Sequence, residues 1–221
     1  DLGTALRYAR EGLELCKRWG QADALIQAYF YLAKVLLAVG DPDSALNAIQ
    51  EATPVARDLG LWYAITAGAY EARIRLAQGD VATAVRWMQE SGLNVDGELN
   101  LECGIGYLVL TRILMTQGRR EDALGLLTRL LSIVEAAGAT RSVIGILVLQ
   151  ALALQAQGEE DQALAALERA LSLAEPEGYV RVFISEGAPM GQLLRQAAVR
   201  GIKLDYVSKL LAALDNEVTG G

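Results

Sequence analysis

The stretch Gly40-Asp41-Pro42-Asp43-Ser44-Ala45-Leu46 decides the architecture, because its frame of a glycine followed by an alanine-aliphatic pair recurs along the chain. It returns as Gly79 with Ala84-Val85, Gly118 with Ala123-Leu124 and Gly158 with Ala163-Leu164. Ala5-Leu6 keeps the register without its glycine, so the alanines advance in steps of 40, 39, 39 and 40. A fixed period of this length means helical hairpins that each bury an apolar face only by stacking on the next. The expected fold is therefore all-α, and the expected mode of action is recognition along the stack.

Each repeat reads as two helices. The first helices are expected at 22–39, 61–78, 101–117 and 141–157, from apolar residues spaced i, i+3, i+4. The second helices are expected at 42–58, 81–90, 120–137 and 160–174. Gly40, Gly79, Gly118 and Gly158 fall where a helix ends on a left-handed residue. Asp41 before Pro42 is a helix-start signal, and Asp80 is placed to cap the following helix. Pro54 is expected to kink or end its helix. The turn formers of Leu93–Asn100 mark the most irregular connection.

Composition narrows the function classes. The chain has 221 residues, 52% of them hydrophobic, yet no apolar run reaches the ~18 residues of a membrane span. The net charge is −7, and Lys and Arg form no stripe able to neutralise several phosphates, so direct binding of nucleic acid is not expected. There is no histidine, which removes the usual general base and most zinc sites. The acidic groups Asp41 with Asp43, Glu121-Asp122 and Glu159-Glu160-Asp161 stand in first helical turns, where they complement the dipole. No G-x-x-x-x-G-K-[ST] string occurs. The expectation is a non-enzyme that holds no cofactor or metal. Gly68, Gly104, Gly106 and Gly145 read as close helix packing, Trp19 and Trp87 as packing anchors, and Trp62 with Tyr63 as a rim. Cys16 and Cys103 read as buried thiols in a reducing cytoplasm.

Two small-residue columns run through the repeats. Ala33, Ala72, Thr111 and Ala151 precede the four glycines by seven residues, and Ala45, Ala84, Ala123 and Ala163 form the second column. This spacing resembles the tetratricopeptide repeat, whose hairpin crossing needs short side chains at those positions. The resemblance implies a right-handed superhelix of tetratricopeptide-like hairpins, closed by a C-terminal helical cap. In that kind of stacking the residue six before each glycine faces the concave side, which here gives Lys34, Arg73 and Arg112, with Leu152 ending the series. Tyr31 and Tyr70 stand three residues earlier, with Phe30 beside them. Three cations and flat rings suit an anionic or hydroxyl-rich ligand. The same residues also read as a solvated cationic face over core tyrosines.

The C-terminal stretch Ala166–Gly201, followed by LDYVSKLLAAL from Leu204, carries Glu175-Pro-Glu-Gly-Tyr179, Phe183, Glu186-Gly187 and Pro189-Met190. Together these resemble the end of the helical sensor region in large ATP-binding LuxR-class transcription activators, the family of the bacterial maltose regulator. Gly187-Ala188-Pro189 is expected to break the chain before a helix starting near Met190. The resemblance implies repeats over 1–175 and a cap over 176–221 leading toward a helix-turn-helix module, with ATP bound by a separate upstream module. It also implies a small effector or a protein partner, and self-association. The chain opens on Asp1 within an incomplete repeat, so an excised fragment with an uncovered end face is expected. The alternative is a general tetratricopeptide-type scaffold that grips a peptide or helix.

Overall fold

The computed structural model describes residues 2–219, and every regular element among them is helical. Asp1, Gly220 and Gly221, at the ends of the two expected segments, lie outside the described residues. The chain divides into two compact units, the first ending at Thr116 and the second beginning at Gln117. Unit 1 holds α1 (Leu2–Trp19), α2 (Ala22–Ala38), α3 (Pro42–Leu59), α4 (Leu61–Ala77), α5 (Val81–Glu90) and α6 (Gly104–Thr116). Unit 2 holds α7 (Arg120–Ala136), α8 (Thr140–Gln157), α9 (Glu160–Ala174), α10 (Arg181–Ile184), α11 (Gly187–Val199) and α12 (Leu204–Thr219). Within each unit consecutive helices pack as hairpins, α2 on α3 and α4 on α5 in the first, α8 on α9 in the second.

The periodic residues do what their spacing requires. Ala33, Ala72, Ala45 and Ala84 are buried in unit 1, and Ala151, Ala123 and Ala163 in unit 2. Thr111 takes the same place on α6 by donating its hydroxyl to the Tyr107 carbonyl one turn back, at 2.9 Å. Short side chains let the helices approach closely, and Ile26, Phe30, Ile49, Tyr70 and Ile74 fill the space between them. Each such side chain contributes about 1.5–3 kcal/mol of burial, which is what holds a hairpin too short to stand alone.

Helix ends follow the predicted signals and add one. Gly40, Gly79, Gly118 and Gly158 all adopt positive φ. So do Gly20, Gly60, Gly138 and Gly178, which turn the chain at the opposite ends of the hairpins, so glycine marks both ends of most repeats. Asp41 accepts from the Ser44 amide at 3.0 Å and Asp80 from the Thr83 amide at 3.1 Å, satisfying donors that the first turn leaves open.

Several expectations change. Pro54 does not end α3, which continues to Leu59. The carbonyl of Gln50 loses its amide partner there, but Gln50 and Pro54 are exposed, so the carbonyl is not stranded in the interior and the helix runs on. The helix expected from Leu101 opens as a 3-10 turn over Leu101–Cys103, with the Cys103 amide bonded to the Asn100 carbonyl and the Glu102 amide to the Asn100 side chain. The break expected at 187–189 comes earlier: α11 starts at Gly187 and Pro189 sits in its first turn, where a missing N–H costs no helical bond. Trp19 is no packing anchor: as the last residue of α1 it is 70% exposed. Cys16 is only half-buried, whereas Cys103 is buried. Gly104 and Gly145 have open space where a side chain would begin, so close packing explains only Gly68 and Gly106.

The irregular loop after α5 is tied down. The Ser91 hydroxyl donates to the Met88 carbonyl and accepts from the Leu93 amide, while the Tyr107 hydroxyl donates to the Glu98 carbonyl and accepts from the Asn100 amide.

Candidate functional site

The first helices α2, α4 and α6 lie side by side in unit 1, with α4 in contact with both neighbours. They carry Lys34, Arg73 and Arg112 respectively. Lys34 is exposed and holds its ammonium 5.4 Å from the centroid of the Tyr70 ring. Tyr70 in turn lies on Phe30, ring centroids 4.8 Å apart and planes tilted by 30°. A lysine and a phenylalanine one turn apart on α2 thus meet a tyrosine from α4, and the ring's negative face stabilises the cation by about 0.5–1 kcal/mol at an exposed site. Three of the six sequence-predicted residues come together here.

The other three are placed differently. Arg73 is half-buried. Arg112 is half-buried too, and its Nη1 donates to the Leu108 carbonyl one turn back on α6 at 3.3 Å. Tyr31, the register mate of Tyr70, is 52% exposed where Tyr70 is 4% exposed. The difference has a packing cause. Tyr70 faces Phe30 of the preceding first helix, and no first helix precedes α2 among the described residues. Since the rings of Phe30 and Tyr70 are buried, the cluster presents the Lys34 ammonium to solvent, with the exposed face of Tyr31 on the neighbouring residue.

A second contact network lies behind this one. The Tyr29 hydroxyl on α2 donates to Glu51 Oε2 on α3 at 3.0 Å, and Lys17 Nζ on α1 stands 5.7 Å from the Tyr29 ring. Burial, with the Glu51 hydrogen bond behind it, pushes the Tyr29 phenol above its ordinary value. The bond to Glu14 raises Lys17. Three successive helices are pinned in this way. Tyr107, eleven residues before Gly118 as Tyr29 is before Gly40, likewise uses its hydroxyl to bridge elements, so the repeat register relates the two tyrosines.

Unit 2 offers an open depression of about 280 Å³ lined by Glu135, Gly138, Thr140, Val143, Arg169 and Leu173, across which Arg169 pairs with Glu135. Leu152, where the cationic column would continue, is buried. No helix among the described residues is long and apolar enough to cross a membrane.

Antiparallel hairpins on a 39–40-residue beat, crossed at two columns of small residues, define a tetratricopeptide-like helical-repeat protein, a fold consistent with an interaction scaffold. The chain belongs to the MalT-like TPR region family, whose model matches residues 1–200. Among solved structures it is similar to BtubC (BKLC) from P. vanneervenii, at 16% identity and a TM-score of 0.58, with 100% of this chain and 92% of that chain covered. It also matches a putative kinesin light chain with nearly identical TPR-like repeats from Podosopora anserina, at 18% identity and a TM-score of 0.48, covering 80% of this chain and 89% of that one. None of the curated proteins matches it.

Proposed function

We propose that this chain is the signal-sensing and assembly segment of a LuxR-class, ATP-dependent transcription activator acting in the cytoplasm. The observation that supports this most directly is the family match over residues 1–200, which takes in the cap strings Glu175–Tyr179, Phe183, Glu186-Gly187 and Pro189-Met190. On this reading residues 1–175 are the repeats and 176–221 the cap that leads toward the DNA-binding module. The ligand surface is the first-helix face of unit 1. Lys34, Arg73 and Arg112 supply positive charge to an anionic or hydroxyl-rich effector, or to a partner segment. Tyr31 offers an open ring, and Phe30 with Tyr70 forms the rigid floor that fixes Lys34. A preformed cation on a packed floor binds with little ordering cost.

The decisive experiment has a genetic and a biophysical arm. The gene is expected to encode a phosphate-binding loop upstream and a helix-turn-helix downstream; a gene with neither refutes the regulator reading. Thermal-shift screening against sugars, sugar phosphates and aromatic acids is expected to give a hit whose calorimetric affinity falls in Arg73→Ala and Arg112→Ala. Unchanged affinity in both variants refutes the site.

A further inference from the structure

The edge of unit 1 formed by the α1/α2 and α3/α4 turns carries chemistry that the first-helix column does not use. Consecutive helices alternate in direction, so these two turns fall on the same edge, and the Tyr63 hydroxyl on α4 reaches Asp23 on α2 across it at 3.4 Å. Three large apolar side chains stand in solvent there: Trp19 at the end of α1, 70% exposed, and Leu61 and Trp62 at the start of α4, 65% and 41% exposed. Arg18 and Arg57 flank them in the last turns of α1 and α3, one repeat period apart. Both are exposed, and neither forms an ion pair among the described residues. A cation in a last turn complements the helix dipole. That accounts for the arginines but not for two indoles and a leucine left in water beside them.

We propose that this edge is a docking surface for an acidic peptide segment of another protein, anchored by an apolar side chain. Trp and Arg are the residue types that carry most binding energy in protein interfaces. A free guanidinium fork matches a carboxylate in bidentate fashion, and the indoles with Leu61 provide the apolar area that such a contact desolvates. An anionic bilayer is the poorer occupant. Asp23 and Asp58 stand on the same edge, and the chain carries a net charge of −7, so a continuous negative surface is repelled while a short segment sets its carboxylates opposite Arg18 and Arg57 alone.

The test is to pan a random-peptide phage library on the intact chain and to titrate a fluorescein-labelled copy of the enriched sequence. Enriched peptides are expected to place Asp or Glu beside Trp, Phe or Leu. Affinity is expected to fall about tenfold or more in the Arg18→Glu, Arg57→Glu double variant and in Trp62→Ala, while Arg73→Ala leaves it unchanged. All three edge positions are exposed, and an unchanged circular dichroism spectrum confirms that the fold is intact. Failure to enrich any sequence, enrichment of peptides without acidic residues, or equal binding by the double variant overturns the proposal. So does Trp19-dependent sedimentation of the chain with phosphatidylglycerol vesicles, which assigns the edge to a membrane. Because Arg73 is outside the edge, these outcomes leave the effector reading to be judged separately.

Discussion

The Cδ1 atom of Trp87 lies 2.6 Å from the point where a β-carbon on Gly68 would stand, so the indole occupies the space that any larger residue at position 68 would claim. On α6 the equivalent point at Gly106 lies 2.7 Å from Leu93 Cδ1 and 3.9 Å from the same tryptophan ring. Two glycines on neighbouring first helices therefore receive a tryptophan from the short helix α5 and a leucine from the loop that follows it.

Gly68→Ala is expected to destabilise unit 1 by about 1–3 kcal/mol, the usual cost of forcing one methyl group into a packed interior against a bulky ring. Gly145→Ala supplies the contrast. Its β-carbon meets nothing within 4 Å, and glycine in a helix interior costs about 0.5–1 kcal/mol relative to alanine, so that variant is expected to gain stability. Urea unfolding of the two variants, read at constant slope, separates the signs.

Why the sequence revealed one glycine role and not another is a matter of what periodicity encodes. The turn glycines recur with the repeat, and α5 and α9 begin and end at their predicted residues because caps, breakers and apolar spacing agree there. Gly68 and Gly145 look alike in the sequence, since what distinguishes them is a side chain on another helix. The candidate site divides in the same way. Register alone placed Lys34, Arg73 and Arg112 on adjacent first helices, but it gave Tyr31 and Tyr70 one role, and the structure exposes the first and buries the second. A column assumes equivalent neighbours, and among the described residues α2 has no preceding first helix to match the one that Tyr70 packs against.

That distinction has a measurable consequence. Phe30→Ala removes a ring that is 3% exposed and stacked on Tyr70, and a loss of about 3–5 kcal/mol is expected, as for other buried aromatic truncations. Tyr31→Ala, one residue away, is expected to change stability by no more than about 0.5 kcal/mol, the range of ordinary surface positions. Equal losses at the two positions would mean that Tyr31 is covered in solution.

The two N-cap aspartates make stability depend on pH in a defined direction. The Ser44 hydrogen bonds hold the Asp41 carboxyl below the usual range, and those of Thr83 do the same for Asp80. A folded-state pKa below the unfolded one adds stability that is fully present above the unfolded value, roughly 3.9, and is lost as pH falls through the lower folded value. Asp41→Ala and Asp80→Ala are therefore expected to lower the melting temperature at neutral pH. The gap from the unsubstituted chain should narrow as the medium is acidified below the carboxylate range. A gap that stays constant would assign the loss to helix propensity in place of the charged cap.

The cysteines offer a check on packing that needs no substitution. Cys103 is buried at the end of the 3-10 turn, and burial, aided by the neighbouring Glu102 charge, pushes its thiol up. The thiolate is the species that attacks a disulfide reagent, so Cys103 is disfavoured both by access and by ionisation. Cys16 lies on α1, half-exposed. Titration of the native chain with Ellman's reagent at mildly alkaline pH is expected to release one equivalent promptly, from Cys16, and the second only in denaturant. Cys16→Ser should abolish the fast phase and leave the slow one. Prompt reaction at both thiols would show that the Leu93–Asn100 loop and the turn after it open readily despite the Tyr107 hydrogen bonds that hold them.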